Sequence, residues 1–285
     1  MSRILVTGGS GQLGLSLKKI SGDYPEHVFL FTDVSELDIT DSAAVDAMIK
    51  RECIDVIVNC AAYTAVDRAE AEPEAARRIN AFGAGVLAGA AARSGATLVH
   101  ISTDYVFDGK ADEPYAETAS PCPCSVYGAT KAEGESLVLA SGCRGAIVRT
   151  AWLYSEFGRN FVRTMLSLAA VRRSVSVVCD QRGAPTYATD LARAVMTLVG
   201  RGLAPTAQIY HFTDEGQCTW NMFAERIFAL AGVDCNVEAI TTEQYGAAAP
   251  RPAYSVLSLD KIKAAGVRVP QWEQSLAECI EIIGK

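Results

Sequence analysis

The hydrophobic positions in the first half of the chain form short apolar runs separated by longer amphipathic stretches. The runs do not alternate with polar residues, which is typical of strands buried on both faces of a parallel sheet. The stretches between them repeat apolar residues with the period of an α-helix. This pattern predicts strands at 4–6, 28–31, 56–59, 97–101 and 146–149, and helices at 13–20, 41–50, 74–94 and 125–140.

The alternation of strands and helices predicts an α/β fold, a doubly wound parallel sheet of the Rossmann type with a smaller C-terminal substrate-binding lobe. After residue 149 the pattern is looser. It predicts helices at 160–170, 189–199, 220–230 and 275–283, strands at 175–179 and 210–212, and a polar turn at 180–186. We therefore expect a dinucleotide-binding domain at 1–150, with a returning segment near 175–200, and a mainly substrate-binding lobe at 151–285.

The composition mainly excludes classes of partner and of function. The 285 residues are 49% hydrophobic and 21% charged, as expected of a soluble protein with a large core. A net charge of −7 with no block of Lys or Arg argues against nucleic acid as a partner. No apolar stretch approaches the ~20 residues that span a bilayer, and no signal peptide is recognisable, so we expect no membrane association and a cytoplasmic location. The nine cysteines, including Cys122 and Cys124, match no zinc-site spacing, so we expect no metal.

A glycine-rich loop follows the first predicted strand and precedes the first helix. In such a loop one glycine permits a tight turn, one lets the backbone approach a pyrophosphate, and one lets the helix pack closely. The free N–H groups of the helix N-terminus then bind the phosphates. The residues expected to contact a dinucleotide here are Gly8, Ser10, Gly11, Gln12, Leu13 and Gly14.

Asp33 ends the second predicted strand, where an acid commonly binds the ribose 2′-hydroxyl of a dinucleotide. A carboxylate there repels a 2′-phosphate and favours NADH. The alternative is an exposed turn aspartate. Asp38 and Ile39 follow in a loop and are candidates to flank the adenine.

The third predicted strand ends in small residues that would let a cofactor pass close to the backbone. For Asn59 a simpler interpretation is that its side chain caps a turn. Asn80 lies within the predicted helix 74–94 and is either directed into the site or on the helix surface. The cofactor contacts expected in this region are Cys60, Ala61, Ala62, Tyr63 and Asn80.

Tyr127 and Lys131 stand four residues apart on a predicted helix and therefore share one face. A lysine one turn away should favour the phenolate and lower the tyrosine pKa from its ordinary value near ~10, so that the phenol can donate a proton near neutral pH. Ser102, Thr103 and Asp104 end the fourth predicted strand, where the sites of open α/β sheets gather. A hydroxyl there can hydrogen-bond a substrate carbonyl, and the alternative for this cluster is helix capping. Together with the glycine loop, this predicts a hydride-transferring enzyme with Tyr127, Lys131 and Thr103 as catalytic residues and Ser102 beside the cofactor.

These motifs resemble the extended short-chain dehydrogenase/reductases and, more narrowly, the dTDP-4-dehydrorhamnose reductase family. The similarity spans nearly the whole chain, and the stretches at 59–70, 102–109 and 180–186 are specific to this branch. The matching stretches are TGGSGQLG at 7–14, LDIT at 37–40, NCAAYTAVDRAE at 59–70, STDYVFDG at 102–109, YGATK at 127–131, RTAWLY at 149–154, DQRGAPT at 180–186 and RPAYS at 251–255.

The resemblance implies that NADPH or NADH reduces the 4-keto group of dTDP-4-dehydro-L-rhamnose to give dTDP-L-rhamnose, with Tyr127 as the proton donor. It also implies that Tyr105 and Trp152 line the sugar pocket, that Asp104 positions the substrate, and that Asn160 and the loop of Arg251 lie toward the nucleotide. From the residues alone, the arginines are candidates to hold a diphosphate, although each one alone is more often structural. The substrate-binding residues expected are Thr103, Asp104, Tyr105, Trp152, Asn160, Arg182 and Arg251.

Other functions on the same scaffold stay open. A 4-keto reductase or an epimerase for another deoxysugar nucleotide would share these motifs, and an epimerase would keep its NAD. A non-catalytic, cofactor-binding regulatory subunit is disfavoured because Tyr127, Lys131 and Thr103 are all present. Some family members link a dimer through magnesium with a glutamate in the first helix, but this chain has Leu15 and Ser16 there. The resemblance therefore implies neither that metal nor that dimer, and a homodimer of another kind stays open.

Overall fold

The fold is organised around a six-stranded parallel sheet. The computed structural model describes residues 1–284. The strands are β1 (Arg3–Thr7), β2 (Val28–Thr32), β3 (Val56–Asn59), β4 (Thr97–Thr103), β5 (Arg144–Thr150), β6 (Leu153–Tyr154), β7 (Ser174–Val178), β8 (Arg182–Gly183), β9 (Thr186–Tyr187), β10 (Gln208–His211), β11 (Cys218–Thr219) and β12 (Asn236–Ile240). The main sheet has the order β10-β5-β4-β3-β1-β2, and each neighbouring pair is parallel. Because β1 leads to β2 on one side and its neighbour β3 leads to β4 on the other, the loops that follow β1 and β3 diverge and leave a crevice at the carboxyl edge of the sheet. This arrangement confirms the predicted fold class.

Helices cover both faces of the sheet. They are α1 (Gln12–Ile20), α2 (Ser42–Glu52), α3 (Val66–Ala71), α4 (Pro73–Arg77), α5 (Ala84–Ser94), α6 (Val126–Ala140), α7 (Phe161–Ala169), α8 (Ala188–Arg201), α9 (Trp220–Ala231), α10 (Thr242–Tyr245), α11 (Asp260–Ala264) and α12 (Trp272–Ile283). Within residues 1–284, none of them combines the length and apolar character needed to cross a membrane.

Residues of β1 show why the strands are continuous apolar runs. Ile4 and Val6 face a core that contains the buried side chains of α1 and α8, including Leu17 and Leu191. Leu5 points to the opposite face, into a core built with α2 and α5. Since both faces of the strand are buried, its central positions 4–6 are all apolar.

The later part of the chain builds a further hydrophobic core from α7, α9 and α12 together with three small strand pairs. The strand predicted at 175–179 is β7, which pairs in parallel with β12 outside the main sheet. The element that adds to the edge of the main sheet is β10, which pairs with β5. The division into domains near residue 150 stays a prediction.

The helix predicted at 74–94 is interrupted. Between α4 and α5 the segment Arg78–Gly83 widens into a π-helical turn, and this turn contains Asn80. The Asn80 side chain is buried, accepts the N–H of Tyr63 at 2.8 Å, and donates to the Tyr63 carbonyl at 3.1 Å and to the Thr130 hydroxyl at 3.1 Å. The helix-surface alternative for Asn80 is therefore wrong, because its amide joins the loop after β3 to α6.

Candidate active site

A cleft of about 860 Å³ opens at the carboxyl edge of the main sheet. It brings together most of the residues singled out in the sequence, although these come from widely separated segments. The predicted residues that line it are Gly8, Ser10, Gly11, Gln12, Leu13, Asp33, Asp38, Ile39, Cys60, Ala61, Ala62, Ser102, Thr103, Asp104, Tyr105, Tyr127, Lys131, Trp152 and Asn160. Five others, Gly14, Tyr63, Asn80, Arg182 and Arg251, do not line it.

The glycine loop forms the floor of one end of the cleft. Gly8 has a φ of +66°, and a Cβ on it would come within 2.7 Å of the Ala61 nitrogen. A Cβ on Gly14 would come within 2.5 Å of the Gly8 carbonyl oxygen. Gly11 is the residue before α1 and has no side chain to block the free N–H groups of that helix. The loop therefore provides a bare backbone surface at a helix N-terminus, which is what a pyrophosphate requires.

Asp33 lies at the end of β2 and lines the same end of the cleft. Its carboxylate accepts the backbone N–H of Val34 at 2.8 Å and that of Ser10 at 3.2 Å. The Val34 hydrogen bond, with the contacts to Ser10, holds the pKa of Asp33 below its ordinary value. An ionised carboxylate thus faces the glycine loop at the position expected for a ribose-binding acid.

Tyr127, Lys131 and Thr103 meet at the other end of the cleft. Lys131 is buried, and its Nζ donates to the Ile101 carbonyl at 2.6 Å. Gly128 has no predicted role, yet a Cβ there would come within 2.1 Å of the Tyr105 carbonyl oxygen. Since α6 can approach the end of β4 only with a glycine at this point, Gly128 allows Tyr127 and Thr103 to share one site.

The predicted lowering of the Tyr127 pKa is wrong for this structure. Burial raises the pKa of Tyr127 to about 12, and the nearby Asp104 carboxylate adds to the rise while a hydrogen bond with Thr103 opposes it. Burial also lowers the pKa of Lys131 to about 8, although the Glu135 carboxylate opposes that change. The spacing of four residues places the two side chains on one face, but desolvation of the phenolate is the dominant influence on the Tyr127 pKa.

A buried ion pair lies beneath Lys131. Glu135 accepts two hydrogen bonds from Arg149, at 2.9 and 2.6 Å, and a third from the Ser102 hydroxyl. Both charged side chains are at most 2% exposed. Sequence reasoning missed Glu135, although its position four residues after Lys131 on the same face of α6 was a usable signal. The pair fixes the ends of β4 and β5 against α6 and keeps a negative charge near Lys131.

Asp104 and Tyr105 form the wall next to Tyr127. Asp104 is 2% exposed, and burial raises the pKa of its carboxyl group to about 6 despite hydrogen bonds with Ser255 and Thr103. The Tyr105 and Tyr127 rings meet edge to face with centroids 5.4 Å apart. Below about pH 6 this carboxyl group is mostly protonated and can donate as well as accept a hydrogen bond, whereas near neutral pH it is mostly a carboxylate that only accepts.

Trp152 and Asn160 also line the cleft. Trp152 has a φ of +48°, which is uncommon for a bulky residue, and its ring stacks on Trp220 with centroids 3.6 Å apart. The Asn160 amide caps α7 and donates to the Gln12 side chain at 3.0 Å. Asn160 thus connects this part of the cleft to the glycine loop.

The two predicted arginines lie away from the cleft surface. Arg251 forms a two-pronged ion pair with Asp67, at 2.7 and 3.1 Å, and Arg182 is exposed on β8. The charge of Arg251 nevertheless influences Tyr105, which does line the cleft. Arg251 is therefore near the part of the cleft that Tyr105 lines, whereas nothing in the geometry brings Arg182 to it.

Three carboxylates on or just after the short helix α3 connect it to separate segments. Asp67 bonds Arg251 and the Ala249 N–H, and Glu70 accepts the N–H of Val126 at the start of α6 at 2.8 Å. Glu72 accepts the Tyr63 hydroxyl at 2.7 Å. Helix α3 therefore links the C-terminal loop, the start of α6 and the loop after β3.

Several lining residues carry no predicted role. Most are small or apolar neighbours of the predicted motifs, so their only sequence signal is adjacency to the ends of strands. They are Val34, Leu37, Thr64, Val66, Ile79, Ile101, Thr150, Ala151, Leu153, Gly158 and Arg159.

Comparison with known proteins agrees with this geometry. A family model described as the RmlD substrate binding domain matches residues 1–284. A dTDP-4-dehydrorhamnose reductase from Aggregatibacter actinomycetemcomitans is 43% identical, with 97% of each chain covered. A dTDP-4-keto-6-deoxy-D-glucose reductase from Streptomyces niveus is 40% identical, covering 99% of this chain and 97% of its own.

Among solved structures, a dTDP-4-dehydrorhamnose reductase from Bacillus anthracis str. Ames in complex with NADP superposes with a TM-score of 0.93 at 39% identity. The superposition covers 99% of each chain. The resemblance inferred from the motifs is confirmed. The chain therefore belongs to the RmlD substrate binding domain family, together with the dTDP-4-dehydrorhamnose reductases.

Proposed function

We propose that this protein is an NAD(P)H-dependent oxidoreductase that reduces the 4-keto group of dTDP-4-dehydro-L-rhamnose to give dTDP-L-rhamnose. The observation that carries the proposal is a single cleft lined both by the glycine loop and by Thr103, Tyr127 and Lys131. The proposal is also supported by relatives at about 40% identity over nearly the full chain, whose names specify reduction of dTDP-4-keto sugars.

The residues of the cleft fit a dinucleotide. Gly8 and Gly14 let the loop fold tightly, because a Cβ on either would come within 2.7 Å of a backbone atom, and we propose that the Asp33 carboxylate, which lines the cleft beside this loop, binds a ribose hydroxyl. The related protein from Bacillus anthracis was solved with NADP, so we propose that NADPH and NADH are both accepted. When bound, the reduced nicotinamide supplies a hydride to the sugar C4.

Tyr127 supplies the proton in the proposed reaction. Its phenol is neutral near pH 7 because burial raises its pKa to about 12, so the proton is held until negative charge develops on the 4-keto oxygen. The Thr103 hydroxyl donates a hydrogen bond to the same oxygen. With a pKa of about 8, Lys131 is largely protonated near pH 7, and its charge stabilises the phenolate left after proton transfer.

The remaining residues position the substrate. We propose that Asp104, Tyr105 and Trp152 contact the sugar and that Asn160 and Arg251 lie toward the dTDP group. The Arg251 guanidinium group is paired with the Asp67 carboxylate in this structure. A bound diphosphate would therefore compete with Asp67 for this guanidinium group. Arg182 is the weakest of the predicted substrate contacts because it is exposed outside the cleft.

The direct test is NAD(P)H oxidation with dTDP-4-dehydro-L-rhamnose generated in situ, with each cofactor measured separately. Substrate-dependent oxidation that yields dTDP-L-rhamnose is the expected result. Protein that binds a dinucleotide but oxidises neither cofactor would contradict the proposal.

The role of Tyr127 is tested by Tyr127→Phe, which removes the phenolic proton and keeps the ring. We expect kcat to fall by ~10²–10⁴, the usual contribution of one acid–base group, with dinucleotide binding retained. Ser136→Ala on the same helix is a control because Ser136 bonds only the Ala132 carbonyl in its own helix. Turnover near the wild-type rate in Tyr127→Phe would exclude Tyr127 as the proton donor.

A second candidate is the 4-keto reductase of another deoxysugar nucleotide, which the name of the Streptomyces niveus relative favours. The same assay with dTDP-4-keto-6-deoxy-D-glucose distinguishes the two, since the better substrate has the higher kcat/KM.

Assembly and location are further parts of the proposal. All nine cysteines are free, which supports a reducing, cytoplasmic environment. We propose a homodimer, and light scattering on the purified protein tests its mass.

A further inference from the structure

We propose that Gly183 and Trp220 are positioning residues that hold the indole of Trp152 as a rigid wall of the sugar pocket. The proposed chemistry uses no side chain of the segment 180–186 except that of Arg182. The contacts of this segment indicate that it positions Trp152 instead. The inference rests on the proposed function because it assumes that Trp152 faces the substrate.

The backbone of Trp152 is strained, so surrounding contacts must hold it. A bulky residue rarely adopts a φ of +48° unless its neighbours impose that conformation. Thr186 provides one of these contacts, because its N–H donates to the Trp152 carbonyl at 3.2 Å and its hydroxyl donates to the Ala151 carbonyl at 2.6 Å.

The indole ring is held between two further partners. Trp220 stacks on it with an interplanar angle of 12°, and Phe161 supports Trp220 with centroids 4.6 Å apart. On Gly183, a Cβ would come within 2.6, 2.7 and 2.8 Å of the ring atoms Cε2, Cζ2 and Nε1 of Trp152. Gly183 has no left-handed backbone conformation, so the ring, and not the local backbone, requires a glycine here.

The two partners are part of one small structure. β8 pairs antiparallel with β11, which sets Gly183 opposite Cys218, and Trp220 follows directly after β11. The β8–β11 pair therefore sets the distance between Gly183 and Trp220, and the indole of Trp152 must fit between them. Because Trp152 lines the cleft, the position of this element determines how much room is left for the sugar.

The test is Gly183→Ala, compared with Gly200→Ala, in which the new Cβ on α8 meets no atom within 4 Å. The added methyl group must move the indole. We expect kcat/KM for the 4-keto sugar nucleotide to fall on the order of 10²-fold, as for a misplaced binding group, with the dissociation constant of the dinucleotide unchanged. In a Trp152→Ala background the same substitution should have little further effect, because the ring through which it acts is absent.

A spectroscopic measurement tests the geometry without activity. Two indoles stacked at 3.6 Å couple their transitions and give an exciton band in circular dichroism. The band should disappear in Trp220→Leu and weaken in Gly183→Ala, while Gly200→Ala should keep it. Unchanged kcat/KM and an unchanged band in folded Gly183→Ala would overturn the proposal. If the wild-type protein reduces no 4-keto sugar nucleotide, the proposed function fails and the band alone decides whether Gly183 positions Trp152.

Discussion

Replacing Lys131 by Met should stabilise the fold near neutral pH while abolishing turnover. Burial lowers the pKa of this lysine from 10.5 to about 8. At about 1.4 kcal/mol per pKa unit, keeping the ammonium group charged inside the protein costs about 3 kcal/mol near pH 7. Methionine has a similar shape and no charge, but it loses the hydrogen bond to the Ile101 carbonyl, which is worth about 1 kcal/mol. The variant should therefore be more stable by about 2 kcal/mol.

The pH dependence gives the sharper test. Between about pH 8 and pH 10.5 the unfolded chain keeps the lysine proton and the folded protein has lost it, so the stability of the wild-type protein rises through this range relative to the variant. Urea unfolding should show that the free energy of unfolding of Lys131→Met, relative to the wild-type protein, falls by about 2 kcal/mol between pH 7 and pH 10. Lys18→Met on the exposed face of α1 is the matched control. A stability difference that is the same at both pH values would refute the reasoning.

Three other substitutions test the cofactor and substrate ends of the cleft. Asp33→Ala should raise the kcat/KM ratio of NADPH to NADH by roughly tenfold, because a like charge no longer opposes a 2′-phosphate; an unchanged ratio would mean that Asp33 does not contact the ribose. Gly14→Ala should destabilise the protein by about 1–3 kcal/mol in thermal unfolding and weaken dinucleotide binding, since the new Cβ meets the Gly8 carbonyl at 2.5 Å; full binding would contradict the tight loop. The pKa of Asp104 rises from 3.8 to about 6, so its contribution of about 3 kcal/mol is present below pH 4 and lost as pH rises through 6. In urea unfolding, the stability of Asp104→Asn should not show this loss as the pH rises. If the stabilities of the variant and of the wild-type protein changed in parallel with pH, the carboxyl group would not be buried.

The main sheet and the glycine loop could be predicted because their physical requirements leave local marks in the sequence. Strands covered on both faces carry short apolar runs, as 56–58 does, and the close approach at Gly8 and Gly14 requires residues without a Cβ. By contrast β12, with the sequence NVEAI, is largely exposed and pairs only with β7, so it lacks the apolar run that identifies a buried strand.

The electrostatics of the site could not be predicted because they depend on burial. The spacing of Tyr127 and Lys131 suggested a lowered tyrosine pKa, but it carries no information on how much water the fold removes. Gly128 and Glu135 were missed for a related reason. Their roles follow from contacts with Tyr105 and Arg149, which are remote in sequence and meet them only in the folded chain.

Helix α3 has only six residues, and an isolated helix of this length does not persist in water. Its order must therefore depend on the carboxylate contacts to the C-terminal loop and to the start of α6. Local opening of α3 would release both partners in one step, so this part of the molecule behaves as one cooperative unit with low local stability. Its amide protons should exchange together and faster than those of the central sheet. Tyr127, at the start of α6, would then lie between a rigid sheet and a helix that opens readily.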